Sequence, residues 1–291
     1  DVKEGRCLVT GSEGKITRIH SLTRIPGSKS NAVLVGCQRN SGFDSYRKEQ
    51  AFNSPISPEA ENGYTTALKH LAWSTDSRIL IGDTTIIFWS EPILSIESTL
   101  DMEKLFPWFF TDPPKDDPDR GVQAVRSLYR SVYSGILPGD EKCKFYVLGL
   151  SPNGARISVR FWRNGSVKDF GGKIFQHFKE MEVDHGPWEP EHLSLSRILR
   201  SIALKNKMDN VPPNLPASVV TSILDGTPYP ITLAQQCIRR IRAERNVNRS
   251  RAGILKAWIN RYPKLSEREV ATVALDRGNK NEGYRLGRLF A

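Results

Sequence analysis

The residues whose type and spacing most clearly predict a binding function are arginines near the C-terminal end. In a helix predicted from Thr232 onward, the spacing places Leu233, Cys237 and Ile241 on an inward stripe. The cations on its outward side and in the next turn and helix are Arg239, Arg240, Arg242, Arg245, Arg249 and Arg251. Guanidinium groups clustered in this way bind phosphates. The alternative is a solvated helix face on which Arg240 pairs with Glu244, four residues further on.

The distribution of charge favours the phosphate-binding interpretation. The chain has 291 residues and a formal net charge of +10. From Arg239 to the end there are fourteen Lys or Arg residues and only five Asp or Glu, whereas the first 238 residues carry a net charge of +1. Too few acids are present to pair with these cations, which indicates a surface that meets a polyanion.

A second pair of arginines lies on a predicted β-hairpin at residues 144–162. Alternation in the second strand places Arg156 and Arg160 on one face, about 7 Å apart. Ile157 and Phe161 fall on the other face, and SPNG at residues 151–154 predicts a type I turn. The first strand is apolar on both faces, so we expect it to be buried on both sides. The two arginines either bind phosphate or belong to an ordinary solvated face.

A polar loop at residues 39–58 is a third candidate. Its potential phosphate or base contacts are Arg47, Lys48, Gln50 and Asn53. An ordinary polar loop explains these residues as well as a nucleic-acid contact does.

Catalytic and metal-binding patterns are weak, so we predict a non-enzymatic chain without cofactor or metal. His177, His185 and His192 do not have helical metal-ligand spacing. The glycines at Gly11 and Gly14 do not fit a phosphate-binding loop. A metal-dependent nuclease that uses Asp83, Asp184 or His185 remains the competing enzyme class. Its expected strand-end Lys after residues 84–89 is missing, because Trp89 and Ser90 stand there.

The cysteines form no CxxC pair, which argues against a zinc site or a disulfide framework and favours the reducing cytoplasm. They are Cys7, Cys37, Cys143 and Cys237. No apolar run is long enough to span a membrane, so we expect no membrane partner. The absence of an initiator Met and the uncapped final residues suggest that the sequence is cut from a longer chain.

Periodicity predicts the elements that position these residues. Strands are predicted at residues 7–10, 15–20, 31–38 and 84–89 and in the hairpin. Helices are predicted at residues 58–73, 122–133, 169–181, 193–204, 216–224, 232–245 and 251–261, and from residue 284. The predicted fold class is therefore α+β, a mixed sheet with flanking helices followed by a helical C-terminal portion.

Four parts are predicted along the chain. Residues 1–90 form an α/β part, and residues 91–121 form an acidic, Pro-rich linker or insertion. Phe106, Trp108, Phe109 and Phe110 inside this segment are predicted to plug into the body. Residues 122–190 contribute the hairpin and a helix that complete the α/β body, and residues 191–291 form a helical basic region.

Several segments closely resemble one protein family. VLGLSPNGARISVRFW at residues 147–162 is similar to the signature of the large subunit of the type I-C CRISPR surveillance complex, Cascade. Residues 41–71 resemble the family's SYGKEQ, NAPVS and YTTALN elements, and GDTTIIFWSE and YRLGRLFA match in the same order. The departures are Arg47, Ser54 and Gly154, where the family usually has Gly, Ala and Ala.

The resemblance implies a non-catalytic subunit in antiviral defence. It implies binding of the 5′ end of the guide RNA and of target duplex DNA with its displaced strand, recognition of the protospacer-adjacent motif, and R-loop formation. The implied protein partners are the backbone, 5′-handle and small subunits and a recruited helicase-nuclease. By this resemblance the chain is a central fragment that lacks an N-terminal region and a C-terminal small-subunit-like bundle. A generic single-strand RNA-binding module is a further alternative.

Overall fold

A computed structural model of the chain describes residues 3–42, 48–91, 101–133, 144–262 and 271–290. Its strands are β1 Lys3–Arg6, β2 Glu13–Ile16, β3 Arg78–Ile81, β4 Thr84–Ser90, β5 Lys144–Asn153 and β6 Arg156–Ser166. The helices of the first half are α1 Pro58–Trp73, α2 Met102–Phe110 and α3 Arg120–Tyr133. Those of the second half are α4 Val167–Met181, α5 Leu195–Ser201, α6 Leu215–Asp225, α7 Ile231–Glu244, α8 Arg249–Arg261 and α9 Glu282–Phe290.

The predicted fold class, α+β with a helical C-terminal portion, is confirmed. Strands β3 to β6 form a four-stranded sheet in chain order, and each neighbouring pair is antiparallel. Among the described residues, the sheet gains a parallel component only through a bridge between Val33 and Arg156. Strands β1 and β2 form a separate two-stranded sheet.

Both faces of the four-stranded sheet are covered. On one face, Phe88, Val147 and Phe161 belong to a large apolar cluster shared with helices α2 to α8. On the other face, Ile87 and Leu150 pack against α1 and the segment around Ile25. Alternate residues of β4 and β5 therefore enter different clusters, which explains why both strands are apolar on both sides.

The β5–β6 hairpin differs from its prediction in its turn and in its alternation. Pairing continues to Asn153 and Arg156, so the loop is the two residues Gly154 and Ala155. Gly154 has φ of +60°, which suits a two-residue hairpin loop, and the first three residues of the predicted type I turn are instead paired in β5. The register shifts beside Gly149 and Leu150. A β-bulge of this kind breaks period-two alternation.

The bulge separates residues that were predicted to share a face. Ile157 packs in the smaller cluster and Phe161 in the larger one. At Gly149 a Cβ atom would clash with the Phe161 ring, so any larger residue would force that ring to move. The close approach of the Phe161 ring accompanies the irregular pairing.

Two N-terminal predictions are corrected. The first hairpin pairs residues 3–6 with 13–16, a shift of several residues from the predicted 7–10 and 15–20. Residues 31–38 are not a strand, although Val33 hydrogen-bonds to the edge of the sheet through Ala155 and Ile157. A Cβ at Gly36 would lie 2.6 Å from the Val33 side chain, so the chain folds back on itself there.

Helix α1 has the predicted bounds, but its buried face is rotated. The predicted stripe was Ala60, Tyr64, Leu68 and Leu71, whereas the buried residues are Glu61, Thr65, Leu68 and Ala72. Glu61 is held inward because its carboxylate accepts a 2.7 Å hydrogen bond from the Ser21 amide. This polar contact accompanies a rotation of the helix about its axis, so that the buried positions lie about one residue later than the hydrophobic pattern alone predicts.

The acidic segment contains a helix that sequence periodicity did not predict. Helix α2 begins after Asp101, whose side chain caps the Lys104 amide, and Phe106, Phe109 and Phe110 are each at most 1% exposed. Glu103 accepts a 2.6 Å hydrogen bond from the Ser90 amide at the end of β4. The aromatic plug is confirmed, while residues 92–100 lie outside the described residues and the division into four parts stays a prediction.

None of the described helices is long and apolar enough to cross a membrane.

Replacing Phe106 with alanine tests whether α2 is part of the core. Phe106 is fully buried and packs against Phe88, Phe110 and Phe145. Phe106→Ala should lower the free energy of unfolding by about 3–5 kcal/mol because it leaves a cavity. Urea unfolding followed by circular dichroism measures this. Lys104→Ala, on the exposed side of the same helix, should leave the transition where it is. Equal effects of both variants would contradict a core role for α2.

Candidate nucleic-acid interface

Helix α7 presents a row of arginines because its opposite side is buried. Leu233, Ala234 and Cys237 face the core, where burial raises the pKa of the Cys237 thiol to about 11. Arg239 and Arg242 are exposed on the helix. Arg245 is exposed at its C-cap and has a left-handed backbone with φ of +50°.

Arg239, Arg242 and Arg245 form the surface that we call the α7 surface. In the part of the chain that the structure describes, none of the three forms an ion pair with a carboxylate. Arg240 differs, because it pairs with Glu244 at 3.4 Å and is largely covered. The i to i+4 pairing considered from sequence therefore applies to Arg240 alone.

Arg251 is an internal residue and not part of this surface. It is 1% exposed, and its guanidinium donates to the carbonyl oxygens of Ser201 and Asn246 at 2.9 Å and to the Glu244 carboxylate. The hydrogen bond from Arg251 holds the pKa of Glu244 below its usual value. A single buried guanidinium thus connects α5, the end of α7 and the start of α8.

Arg249 and Lys256 on α8 are also turned inward. Arg249 donates to the carbonyl oxygens of Pro190 and Glu191, and Lys256 donates to those of Lys179 and Glu180 at 3.2 and 2.9 Å. Burial lowers the pKa of both cations. Since these groups are engaged inside the fold, we leave Arg249, Arg251 and Lys256 out of the α7 surface.

A buried polar network joins α8 to α4. Arg261 contacts the Glu180 carboxylate, donates to the carbonyl oxygens of Ser222 and Thr227 and lies 4.3 Å from the centre of the Tyr229 ring. The Tyr229 hydroxyl donates to Glu180 and lies 2.7 Å from Nδ1 of His177. Burial, with the nearby Arg261 charge, lowers the pKa of His177 to about 3, so this imidazole is neutral near pH 7.

A second basic surface lies at the C-terminal end, where sequence analysis named no site residues. A depression of about 510 Å³ is lined by Arg277, Lys280, Arg285 and Arg288 without any acidic residue. We call it the C-terminal basic pocket. The excess of Lys and Arg from Arg239 onward indicated a basic surface in this part of the chain. The spacing of these four cations did not show that they line one pocket.

The β6 arginines are not an isolated pair. Arg160 lies 3.9 Å from the Asp83 carboxylate, and the β-bulge next to it interrupts the alternation that would set it beside Arg156. Arg156 is exposed, next to the turn of the hairpin. The structure therefore gives no support to a shared phosphate grip by these two side chains.

The polar loop is built partly from its own candidate residues. Asn53 donates through its side-chain amide to the carbonyl oxygens of Lys48 and Gln50 at 2.8 and 2.9 Å. Gln50 begins a short 3-10 helix with φ of +49°, and the Lys48 side chain is exposed. Arg47 lies outside the described residues. The Asn53 side chain thus stabilises the conformation of the loop.

The residues considered for a nuclease do not form a metal site in the described ranges. Asp83 is near Arg160, and Asp184 and His185 lie in the loop after α4, where the Asp184 amide bonds to Val273. Across the described residues, no three His, Cys, Asp or Glu side chains converge to hold a metal ion. Cys7, Cys37 and Cys237 are free thiols, and Cys143 is outside the described residues.

Comparison with known families agrees with the sequence resemblance. Residues 1–291 match the family described as CRISPR-associated protein (Cas_Csd1). The chain belongs to this family. A search among curated proteins found no matching sequence. Membership in Cas_Csd1 implies the role of large subunit of a type I-C Cascade complex in defence, together with the other Cascade components and guide RNA. Such subunits are generally non-catalytic.

The segments that carried the resemblance to this Cas_Csd1 family lie in different parts of the fold. The VLGLSPNGARISVRFW segment covers most of the β5–β6 hairpin, GDTTIIFWSE covers β4, and YRLGRLFA covers most of α9. The α7 surface belongs to none of them. Family recognition and the candidate interface are therefore supported by separate residues.

The neutral state of His177 predicts how stability depends on pH. Its pKa is about 3 in the folded chain, against 6.5 ordinarily, so between these values the unfolded chain binds more protons. The free energy of unfolding should fall as pH drops below about 6.5, by up to ~1.4 kcal/mol per pH unit from this group.

Urea unfolding at a series of pH values measures this slope. His177→Asn, which keeps a polar atom near the Nδ1 position, should make the slope smaller by about one proton. His185→Asn changes an exposed imidazole and should leave the slope as it is. A wild-type slope in the His177 variant would show that His177 does not titrate in this way.

Proposed function

We propose that this chain is a non-catalytic scaffold of a type I-C Cascade complex that holds nucleic-acid backbone through the α7 surface. The observation that carries the proposal is that Arg239, Arg242 and Arg245 are exposed and have no carboxylate partner among the described residues, together with membership in the Cas_Csd1 family. Guanidinium groups bind phosphate through two parallel hydrogen bonds, and exposed ones do so without first breaking an internal ion pair.

A surface of this kind favours backbone contacts over base reading. Phosphate contacts position a protein on nucleic acid but do not distinguish its sequence. In guide-RNA complexes the sequence is read by base pairing, and the protein holds the strands. The α7 surface therefore fits binding to the guide RNA near its 5′ end or to the target DNA strands.

The finer roles belong to the same proposal. We propose that the chain supports recognition of the protospacer-adjacent motif, R-loop formation and recruitment of the helicase-nuclease. The C-terminal basic pocket supports a second phosphate contact, because four cations line it and its described lining contains no acidic residue. Lys48 and Arg156 are exposed and stay candidates for contacts with nucleic acid or neighbouring subunits.

Charge reversal on α7 tests the proposal. Arg239→Glu with Arg242→Glu should weaken target DNA binding by the assembled complex. The plot of log affinity against log salt should become shallower by roughly 1.4–1.8, since each lost phosphate contact removes about 0.7–0.9. Gel-shift titrations of the complex at several salt concentrations measure both effects.

The control has the same change in net charge at a distant surface. Lys15→Glu with Lys29→Glu alters two exposed lysines in the N-terminal part and should leave affinity and salt slope near wild type. Equal losses in both double variants would mean that overall charge, and not the α7 surface, determines binding. Unchanged binding in the α7 variant would overturn the assignment.

The same preparation separates the proposal from its alternatives. Co-purification with guide RNA and a repeated backbone subunit supports the scaffold role. Cleavage of nucleic acid with Mg²⁺ or Mn²⁺ that is lost in Asp184→Ala would instead establish a nuclease. Tight binding of single-stranded RNA by the chain alone, with no uptake into a complex, would indicate a generic RNA-binding module.

A further inference from the structure

A cleft of about 360 Å³ lies between the loop after α4 and the start of α8. Its lining includes an exposed tryptophan, three arginines and the start of α8 with its cap, namely Trp188, Arg197, Arg200, Asn248, Arg249 and Ser250. We call it the Trp188 cleft. Neither the α7 surface nor the C-terminal basic pocket includes these residues.

Trp188 is the most exposed large apolar side chain of the described residues, with 85% of its surface accessible. Its position is set by Gly186, where a Cβ atom would lie 2.7 Å from the indole ring. An indole held against a glycine and open to solvent costs hydration free energy and brings little packing. It is, however, a suitable platform for a planar ring, because aromatic side chains stack on nucleobases.

Positive charge in the Trp188 cleft is poorly compensated. Arg197 is exposed and forms no ion pair with any described residue. The Arg249 side chain is 7% exposed, and its Nε is buried without an acceptor. The carboxylate in the cleft belongs to Glu189, 3.9 Å from Nη1 of Arg249, while Arg200 pairs with Asp112.

The start of α8 adds a further preference for an anion. This helix has 13 residues, is capped by the Asn248 side chain and carries no acidic residue in its first turn. First-turn amides have no partners within the helix, and the helix dipole is positive at this end. Phosphate groups bind at such ends. Asn248, Arg249 and Ser250, the cap and the first two residues, all line the cleft.

We propose that the Trp188 cleft binds one nucleotide of a single strand, with the base stacked on Trp188 and the adjoining phosphate held by Arg197 and the start of α8. The site deepens the proposed function and rests on it. Arg245 of the α7 surface precedes the Asn248 cap by three residues, so a strand held on α7 can continue into the cleft. RNA and DNA strands share this chemistry.

Fluorescence anisotropy with labelled single-stranded RNA and DNA of mixed sequence tests the site in the purified chain. Trp188→Ala should weaken binding by about 5- to 150-fold, the effect of losing one stacked base. Trp188→Phe keeps a ring and should lose less. Arg197→Ala should weaken binding and reduce the salt slope by about 0.7. A loss for RNA, DNA or both supports the site and identifies the strand.

Strands with abasic sites distinguish stacking from other roles of the indole. Wild type should bind an abasic strand about as weakly as Trp188→Ala binds the intact strand. The affinity of Trp188→Ala should fall little further when its intact strand is replaced by the abasic one. An equal loss on both strands, or no loss on the intact strand, overturns the proposal. So does unchanged strand binding with weaker uptake of the variant into the Cascade complex, which would make Trp188 a protein contact.

The same titrations separate this inference from the proposed function. If the α7 double reversal weakens strand binding while Trp188→Ala does not, the nucleotide site fails and the scaffold proposal stands. If neither variant weakens strand binding, or wild type binds no strand, the nucleotide site fails, and the gel-shift titrations of the assembled complex decide the scaffold proposal separately. Trp188 is mostly exposed, so its replacement should not unfold the chain, and circular dichroism checks this.

Discussion

The buried guanidinium of Arg251 fixes the geometry on which both candidate surfaces depend. Removing such a cation from water costs several kcal/mol unless hydrogen bonds compensate for the lost hydration, and here each of its three nitrogens donates, two of them to carbonyls and one to a carboxylate. These contacts hold the end of α7 and the start of α8 in one arrangement. The exposed arginines of α7 and the first turn of α8 are therefore presented at a constant separation.

Arginines that are adjacent in the sequence have opposite roles in this chain. Between Arg239 and Arg251, three guanidiniums are exposed and unpaired in the described fold, while Arg240, Arg249 and Arg251 are largely covered and bonded. Helical periodicity alone separates Leu233 and Cys237 from the outward residues. It cannot show that Arg249 and Arg251 turn inward, because each donates to a carbonyl contributed by a residue at least fifty positions earlier, Glu191 for Arg249 and Ser201 for Arg251. A cluster of cations in the sequence thus overstates the binding surface, since part of it stabilises the fold.

The fold was predictable where one periodicity dominates. Helix α4 has its predicted stripe of Phe170, Ile174, Phe178 and Met181 buried, and α1 and β4 lie where their patterns place them. Prediction failed where a contact distant in sequence decides. Helix α2 is short, contains Pro107 and is stabilised by aromatic packing from the sheet. The β6 bulge accompanies the fit of Phe161 over Gly149. For the site, α7 was predictable from charge and period, whereas the C-terminal basic pocket and the Trp188 cleft require the tertiary arrangement.

The sheet and the helical portion contribute differently to the molecule. Both faces of the sheet contribute side chains to apolar clusters, so its strands stabilise the body. The exposed arginines of the α7 surface lie on a helix and its end, which the buried Arg261 network and Arg251 tie to the body. Because phosphates recur along any strand, cations on rigid helices can hold nucleic acid of any sequence. In guide-RNA complexes the sequence is read by base pairing with the guide, so the backbone contacts that we propose for the helical portion leave sequence discrimination to the guide.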